Sequence, residues 1–351
     1  MIDSLSDGTL ASFVGFGGGL ILGLAARLGR FCTLGAIEDA LYAGSDSRLR
    51  MWGVAIGAAI IGTFALVGFG WLELGVTLYH AQLWSPVLSV FGGLTFGFGM
   101  AMAGNCGFGA LARLGGGDLR SFVIVLVMGI TALITVSGPL APLRVAIISK
   151  TAVTPDPPGF AGLLGSAAGV ETYVAGILLG MAILGVTLAK SEFRREFSAI
   201  FWGLAVGLAI VSGWGGSQWI ARNGFDEITV LSHTFSAPLG DTLIYLMTSS
   251  GGGIGFGVGS VFGVIFGAFA GSLIKGHFRW EACEDPRELK RQISGAALMG
   301  VGAVLALGCT IGQGISAFSV LAFSAPLVFV SIFVGAAFGL RYLITGSLAF
   351  R

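Results

Sequence analysis

The chain has 351 residues, 55% of them hydrophobic and only 11% charged, with a formal net charge of +1. Soluble domains carry roughly 25% charged residues, so the composition excludes a soluble enzyme and points to a polytopic membrane protein. No basic block appears, and nothing in the charge balance signals nucleic acid as a partner.

Nine stretches are apolar and long enough to cross a bilayer, which takes roughly 20 residues. They fall near residues 8–28, 51–72, 86–105, 122–143, 170–189, 197–215, 253–274, 293–308 and 327–348. A short extra helix is expected at 245–250. Three more apolar stretches, near 33–42, 107–114 and 310–317, are too short to cross and fit re-entrant half-helices. The expected fold class is an all-α polytopic membrane protein, a single integral membrane domain over 1–351. Sixty glycines would loosen a chain in water. In lipid they let helices approach closely and let the backbone break where protein buries it. The N-terminal Met1-Ile2-Asp3-Ser4 has no positive region, so no cleaved signal peptide is expected.

Lysine and arginine placement orients the spans. With the N-terminus outside, the inward connections hold Arg48 and Arg50, Arg113 and Arg120, Lys190, Arg194 and Arg195. They also hold Lys275, Arg279, Arg287, Lys290, Arg291 and the C-terminal Arg351. The outward connections hold only Arg144, Lys150 and Arg222. The expected topology is N-terminus outside and C-terminus in the cytoplasm.

A duplication organises the chain. Laid over each other with Cys106 on Cys309, two stretches match without a gap at Gly92 and Gly295, Gly97 and Gly300, and Gly99 and Gly302. The match continues at Ala103 and Ala306, Gly109 and Gly312, and Ser121 and Ser324. Upstream, Gly19-Leu-Ile-Leu-Gly-Leu-Ala reads against Gly203-Leu-Ala-Val-Gly-Leu-Ala, and Gly29 falls on Gly213. The first of these runs inward and its partner outward. Residues 12–142 and 197–341 are therefore expected to be inverted repeats, joined by a linker and fifth span over 143–196. Such repeats, with broken helices meeting near the midplane, belong to transporters that open one central site to each side in turn.

The chemistry-bearing residues are cysteines at these breaks. There are four in the chain and no Cys-x-x-Cys pair, so neither a disulfide framework nor a zinc ribbon fits, and no metal or cofactor is expected. Cys32, Cys106 and Cys309 each have a glycine three residues on (Gly35, Gly109, Gly312) at the start of a short apolar segment. If those segments are half-helices, each thiol sits at a helix N-terminus, where unpaired N–H groups and the dipole favour an anion. The neighbours Asn105, Gly107, Gly308 and Thr310 would complete the wall of such a path. A thiol adds a weak, polarizable donor and acceptor that suits a terminal sulfur better than a hard oxyanion. In apolar surroundings it stays neutral and does not repel a dianion. One buried cysteine alone would be an ordinary small hydrophobe; three at breaks with the same following glycine form a pattern. Cys32 falls opposite Gly216 and so belongs to the first half alone. Cys283, in a charged inward loop, reads as incidental. His80, His233 and His277 fall in loops. The tryptophans Trp52, Trp71, Trp84, Trp214, Trp219 and Trp280 are expected in interfacial belts.

Taken together, Gly29-Arg-Phe-Cys-Thr-Leu-Gly-Ala, Ala103-Gly-Asn-Cys-Gly-Phe-Gly-Ala-Leu-Ala-Arg-Leu-Gly-Gly-Gly-Asp and Leu307-Gly-Cys-Thr-Ile-Gly-Gln-Gly resemble the YeeE/YedE family of sulfur-compound transporters, over nearly the whole length. The resemblance implies an inner-membrane importer of thiosulfate, with Cys32, Cys106 and Cys309 lining an hourglass-shaped path and passing substrate by S–H···S contacts. It also implies a cytoplasmic partner of the small TusA-like sulfur-carrier type. Asn105 departs from the small residue that often precedes the central cysteine, and its amide bears on substrate choice. Three readings compete with thiosulfate uptake: a membrane thiol/disulfide oxidoreductase, a soft-metal carrier, and a transporter of another sulfur or selenium species.

Overall fold

The structure is a computed structural model that describes residues 6–154, 159–250, 253–282 and 285–346. Its named elements are helices, and local sequence sets the helix ends. The first helix, α1 (Asp7–Leu28), starts where the Ser6 side chain accepts a bond from the Thr9 N–H. Then come α2 (Thr33–Glu38) and α3 (Ser47–Gly68). A four-residue helix, α4 (Leu78–Ala81), precedes α5 (Pro86–Ala103), which is capped by Ser85 and opened by proline. It stops at Gly104, whose φ of 77° ends the helix in the left-handed region. After it come α6 (Gly107–Gly115), α7 (Leu119–Val136), α8 (Ala141–Thr151), α9 (Gly159–Ala168) and α10 (Thr172–Leu188). The chain continues through α11 (Ser191–Arg194), α12 (Phe197–Asn223), α13 (Ala237–Thr248), α14 (Phe256–Ile274) and α15 (Pro286–Leu305). A π turn over Gly312–Ser316 runs into α16 (Ala317–Ser319), and α17 (Ser324–Thr345) ends the described chain.

Among the described residues, seven candidate spans are long and apolar enough to cross a membrane, and a bent pair raises this to eight. The pair is α9 and α10, which meet at 108°. The stretch expected at 293–308 is part of α15. That helix has 20 residues but opens with Arg287, Glu288, Lys290 and Arg291, which hold its hydropathy below that of the others. The short helix expected at 245–250 is the end of α13, which starts eight residues earlier at Ala237.

Glycine seams hold the bundle. Gly15, Gly19 and Gly23 of α1 climb in parallel along Phe256, Ser260 and Val264 of α14. Gly203 and Gly207 of α12 do the same along Met51 and Ala55 of α3. Gly93 and Gly97 of α5 meet Val328 and Ile332 of α17, and Gly300 of α15 meets Met128 of α7. At the centre α5 and α15 cross antiparallel. A Cβ on Gly99 would sit 2.6 Å from the Gly295 carbonyl oxygen, and one on Gly295 would sit 2.6 Å from that of Gly99. Gly92 and Gly302 stand in the same reciprocal relation at 2.7 Å. Backbones this close admit no side chain on either helix.

Four expectations about individual residues change. Trp52 and Trp214 lie in the core rather than in a belt. Trp52 stacks on Phe31 with ring centroids 4.7 Å apart, and Trp214 donates its indole N–H to Ser319 Oγ at 2.8 Å. That bond satisfies the one polar atom burial would otherwise strand. Trp71, Trp219 and Trp280 are exposed. His80 lies in the four-residue helix α4 rather than in a loop. His233 is in a non-helical stretch, as expected, but the stretch is a strap threaded through the core, with Ser232–Ser236 buried. Cys283 and Arg351 lie outside the described residues.

Candidate functional site

The three expected cysteines all stand at helix breaks, and all three are free thiols. Each break is built differently. After the left-handed turn at Gly104, Cys106 becomes the N-cap of α6, and its sulfur accepts the Gly109 N–H at 3.4 Å. The glycine three residues on is thus the donor that the thiol caps. Gly107 packs against Met128 Sδ, 2.7 Å from where its Cβ would be, and against the Phe235 carbonyl at 3.0 Å.

Cys32 is the N-cap of α2, reached through Arg30 at a φ of 55°, and its side chain makes no capping bond. Gly35 faces Arg48.

The Cys309 break is the most elaborate. Leu307 takes φ 57° and Gly308 φ 155°, so α15 stops abruptly. The carbonyls left unpaired at its end, Ala306 and Leu307, accept from the Gln313 amide nitrogen at 2.8 and 3.2 Å. Ser324 Oγ donates to the Gln313 amide oxygen at 3.1 Å. The Gly312 carbonyl accepts from the Tyr79 hydroxyl at 2.8 Å. Here the thiol does not cap its own helix; it accepts the Phe235 N–H from the buried strap at 3.2 Å.

The breaks converge. Cys106 lies within electrostatic reach of Cys32 and Cys309, and the Thr310 hydroxyl stands against its thiol. Phe235 stands between the two buried thiols: its N–H meets Cys309, its carbonyl faces Gly107, and its ring packs on Phe108 at 5.4 Å. Two buried polar atoms beside the cysteines have no protein partner, Thr33 Oγ1 and Asn105 Oδ1. Buried cysteines acting only as filler would not explain unspent hydrogen-bonding groups beside them.

Cavities lie at both ends of α5. The larger, about 440 Å³, opens at its C-terminal end and is lined by Cys32, Gly35, Asn105 and Gly109. Arg27, Arg30, Arg48, Arg113 and Lys275 give it a cationic wall, against the single carboxylate of Glu38. Asp39 pairs with Arg48 at 3.1 Å. The smaller, about 140 Å³, lies at the starts of α5 and α17 and is lined by Tyr79, His80, Trp84 and Ser324 among others. Cys106, Cys309, Thr310 and Gly312 line neither cavity and occupy the layer between them.

Sequence reasoning did not find the strap, Gln313 or Tyr79. The strap's Ser-His-Thr-Phe-Ser carries no apolar periodicity and reads as a surface loop. The glutamine was visible as the one amide in an apolar half-helix.

Broken spans whose ends converge on a closed layer between two cavities define a polytopic membrane transporter. The chain belongs to the Sulphur transport family, which matches residues 28–338. It is similar to the thiosulfate transporter TsuA of Escherichia coli (strain K12), at 24% identity over 314 residues, covering 85% of this chain and 84% of that one. It is similar also to thiosulfate transporter TsuA of Spirochaeta thermophila (strain ATCC 700085 / DSM 6578 / Z-1203), at 24% identity over 334 residues, covering 90% and 94%.

Proposed function

We propose that this protein carries thiosulfate across the cell inner membrane, with Cys106, Cys309 and Cys32 as successive contacts. The observation that carries the reading is a pair of buried free thiols, Cys106 and Cys309, between two cavities, with Cys32 lining the larger one and Thr33 and Asn105 unpartnered close by. In this reading the anion enters from the smaller cavity, crosses the thiol layer and leaves through the cationic one. The sulfurs of Cys106 and Cys309 accept backbone N–H groups, and Thr234 Oγ1 lies 3.9 Å from the Cys309 sulfur; each S–H proton remains a weak donor that the anion can claim. Each contact is weak, so no step holds the anion too tightly to release, as permeation demands.

The cationic cavity faces the cytoplasm, because the basic connections collect on its side, and the N-terminus is then outside. The reciprocal contacts of Gly92 with Gly302 and Gly99 with Gly295 support the inverted-repeat reading of 12–142 and 197–341, since a two-fold axis makes contacts in such pairs. A small TusA-like carrier meets the anion at the cationic mouth.

The test is uptake of labelled thiosulfate into proteoliposomes. Cys106→Ala is expected to lose uptake by at least tenfold while eluting as folded protein. Undiminished uptake by that variant sinks the proposal.

A further inference from the structure

The two cavities differ in a way that the thiol relay does not use. Among the described residues, the smaller one is lined by no arginine, lysine, aspartate or glutamate; its titratable groups are His80 and Tyr79. Its floor is tied to the Cys309 break by the Tyr79 hydroxyl on the Gly312 carbonyl and by Ser324 on Gln313. An anion arriving there meets one imidazole before it meets a thiol.

The hydrogen bonds assign that imidazole's tautomer. Thr77 has one hydroxyl proton and spends it on the Leu74 carbonyl at 2.6 Å. The same oxygen lies 3.0 Å from His80 Nδ1, so Nδ1 must be the donor of that second bond. The neutral ring then carries a bare lone pair at Nε2. Nε2 is buried and has no protein partner. A lone pair repels an anion; the same nitrogen once protonated is a cationic donor.

We propose that the smaller cavity is a proton-linked anion subsite, in which His80 Nε2 takes up one proton from the medium as thiosulfate seats and gives it back as the anion moves on. The inference rests on the transport reading above. No electron moves: an N–H bond forms on binding and breaks on release, and the proton comes from and returns to water. Burial holds the empty site neutral, pushing the His80 imidazole down to about 4. A dianion in contact stabilises the charged ring and raises that value. Tyr79 is engaged with Gly312 and brings no charge.

The experiment uses the full chain in detergent and in proteoliposomes. Thiosulfate stays doubly charged from pH 6 to 8, so any pH dependence belongs to the protein. One linked proton makes the thiosulfate KM rise up to tenfold for each unit of pH. Addition of thiosulfate to weakly buffered protein should take up close to one proton per anion bound, read with a pH-sensitive dye. His80→Asn places an amide donor where Nδ1 stands, keeps the Thr77 bond and removes Nε2. It is expected to flatten the pH profile and abolish proton uptake, with an unchanged thermal midpoint. His80→Gln, which offers a permanently neutral donor nearer Nε2, should also be flat. Anion binding by the wild type without proton uptake overturns the proposal and leaves transport standing. An equally steep profile in both variants also overturns it. Absence of thiosulfate binding by the wild type at every pH overturns both readings together.

Discussion

Substitution of Cys309 separates what its sulfur does for the fold from what it does for the substrate. Its Sγ accepts the Phe235 N–H at 3.2 Å in a wholly buried place. Cys309→Ala leaves that donor with no partner and no water, which costs about 1–3 kcal/mol. The lost sulfur volume adds a fraction of that. Cys309→Ser keeps an acceptor in nearly the same position and should recover most of the loss, so the two variants differ by about 1–2 kcal/mol. Thermal unfolding in detergent micelles reads this as a midpoint a few degrees lower for alanine than for serine. Uptake is expected to behave otherwise, with both variants falling at least tenfold, because an oxygen is not a soft partner for a terminal sulfur. Wild-type uptake by Cys309→Ser would refute the need for sulfur. Equal midpoints for alanine and serine would refute the bond to the strap.

Gln313→Leu should cost about 2–4 kcal/mol, since the carbonyls of Ala306 and Leu307 both lose their donor; a drop in the thermal midpoint larger than that of Cys309→Ala checks it. Gly99→Ala puts a methyl 2.6 Å from the Gly295 carbonyl oxygen, an overpacking of about 1–3 kcal/mol. It should lower the yield of monodisperse protein in size-exclusion chromatography, whereas alanine at exposed Gly17, with open space around it, should not.

The helix breaks were legible because the cause was local. Gly104 and Gly308 sit where the chain must take positive φ, and the glycine after Cys106 is the donor its sulfur caps. Long apolar runs were legible for the same reason. Relations between distant segments were not. The repeated Cys-x-x-Gly spelling suggests three identical caps, yet only Cys106 uses its glycine's N–H; Cys309 turns to Phe235, 74 residues away. Trp52 and Trp214 look like interfacial residues in sequence because an indole fits a water boundary, and they are buried because Phe31 and Ser319 happen to meet them. His80 looked like a loop histidine and sits instead in the short helix α4, and only the cavity and the Leu74 carbonyl give its ring a defined proton.

The uninterrupted course of α12 has a consequence for polarity. It runs straight through Gly213 and Gly216, opposite the point in the other half where α1 gives way to Cys32. On the proposed inverted-repeat reading, two identical halves would look the same from either compartment, and an ion would meet the same contacts in both directions. On that reading one half carries a thiol that the other lacks, beside a wall of arginines. That mismatch alone would make the two directions of passage unequal.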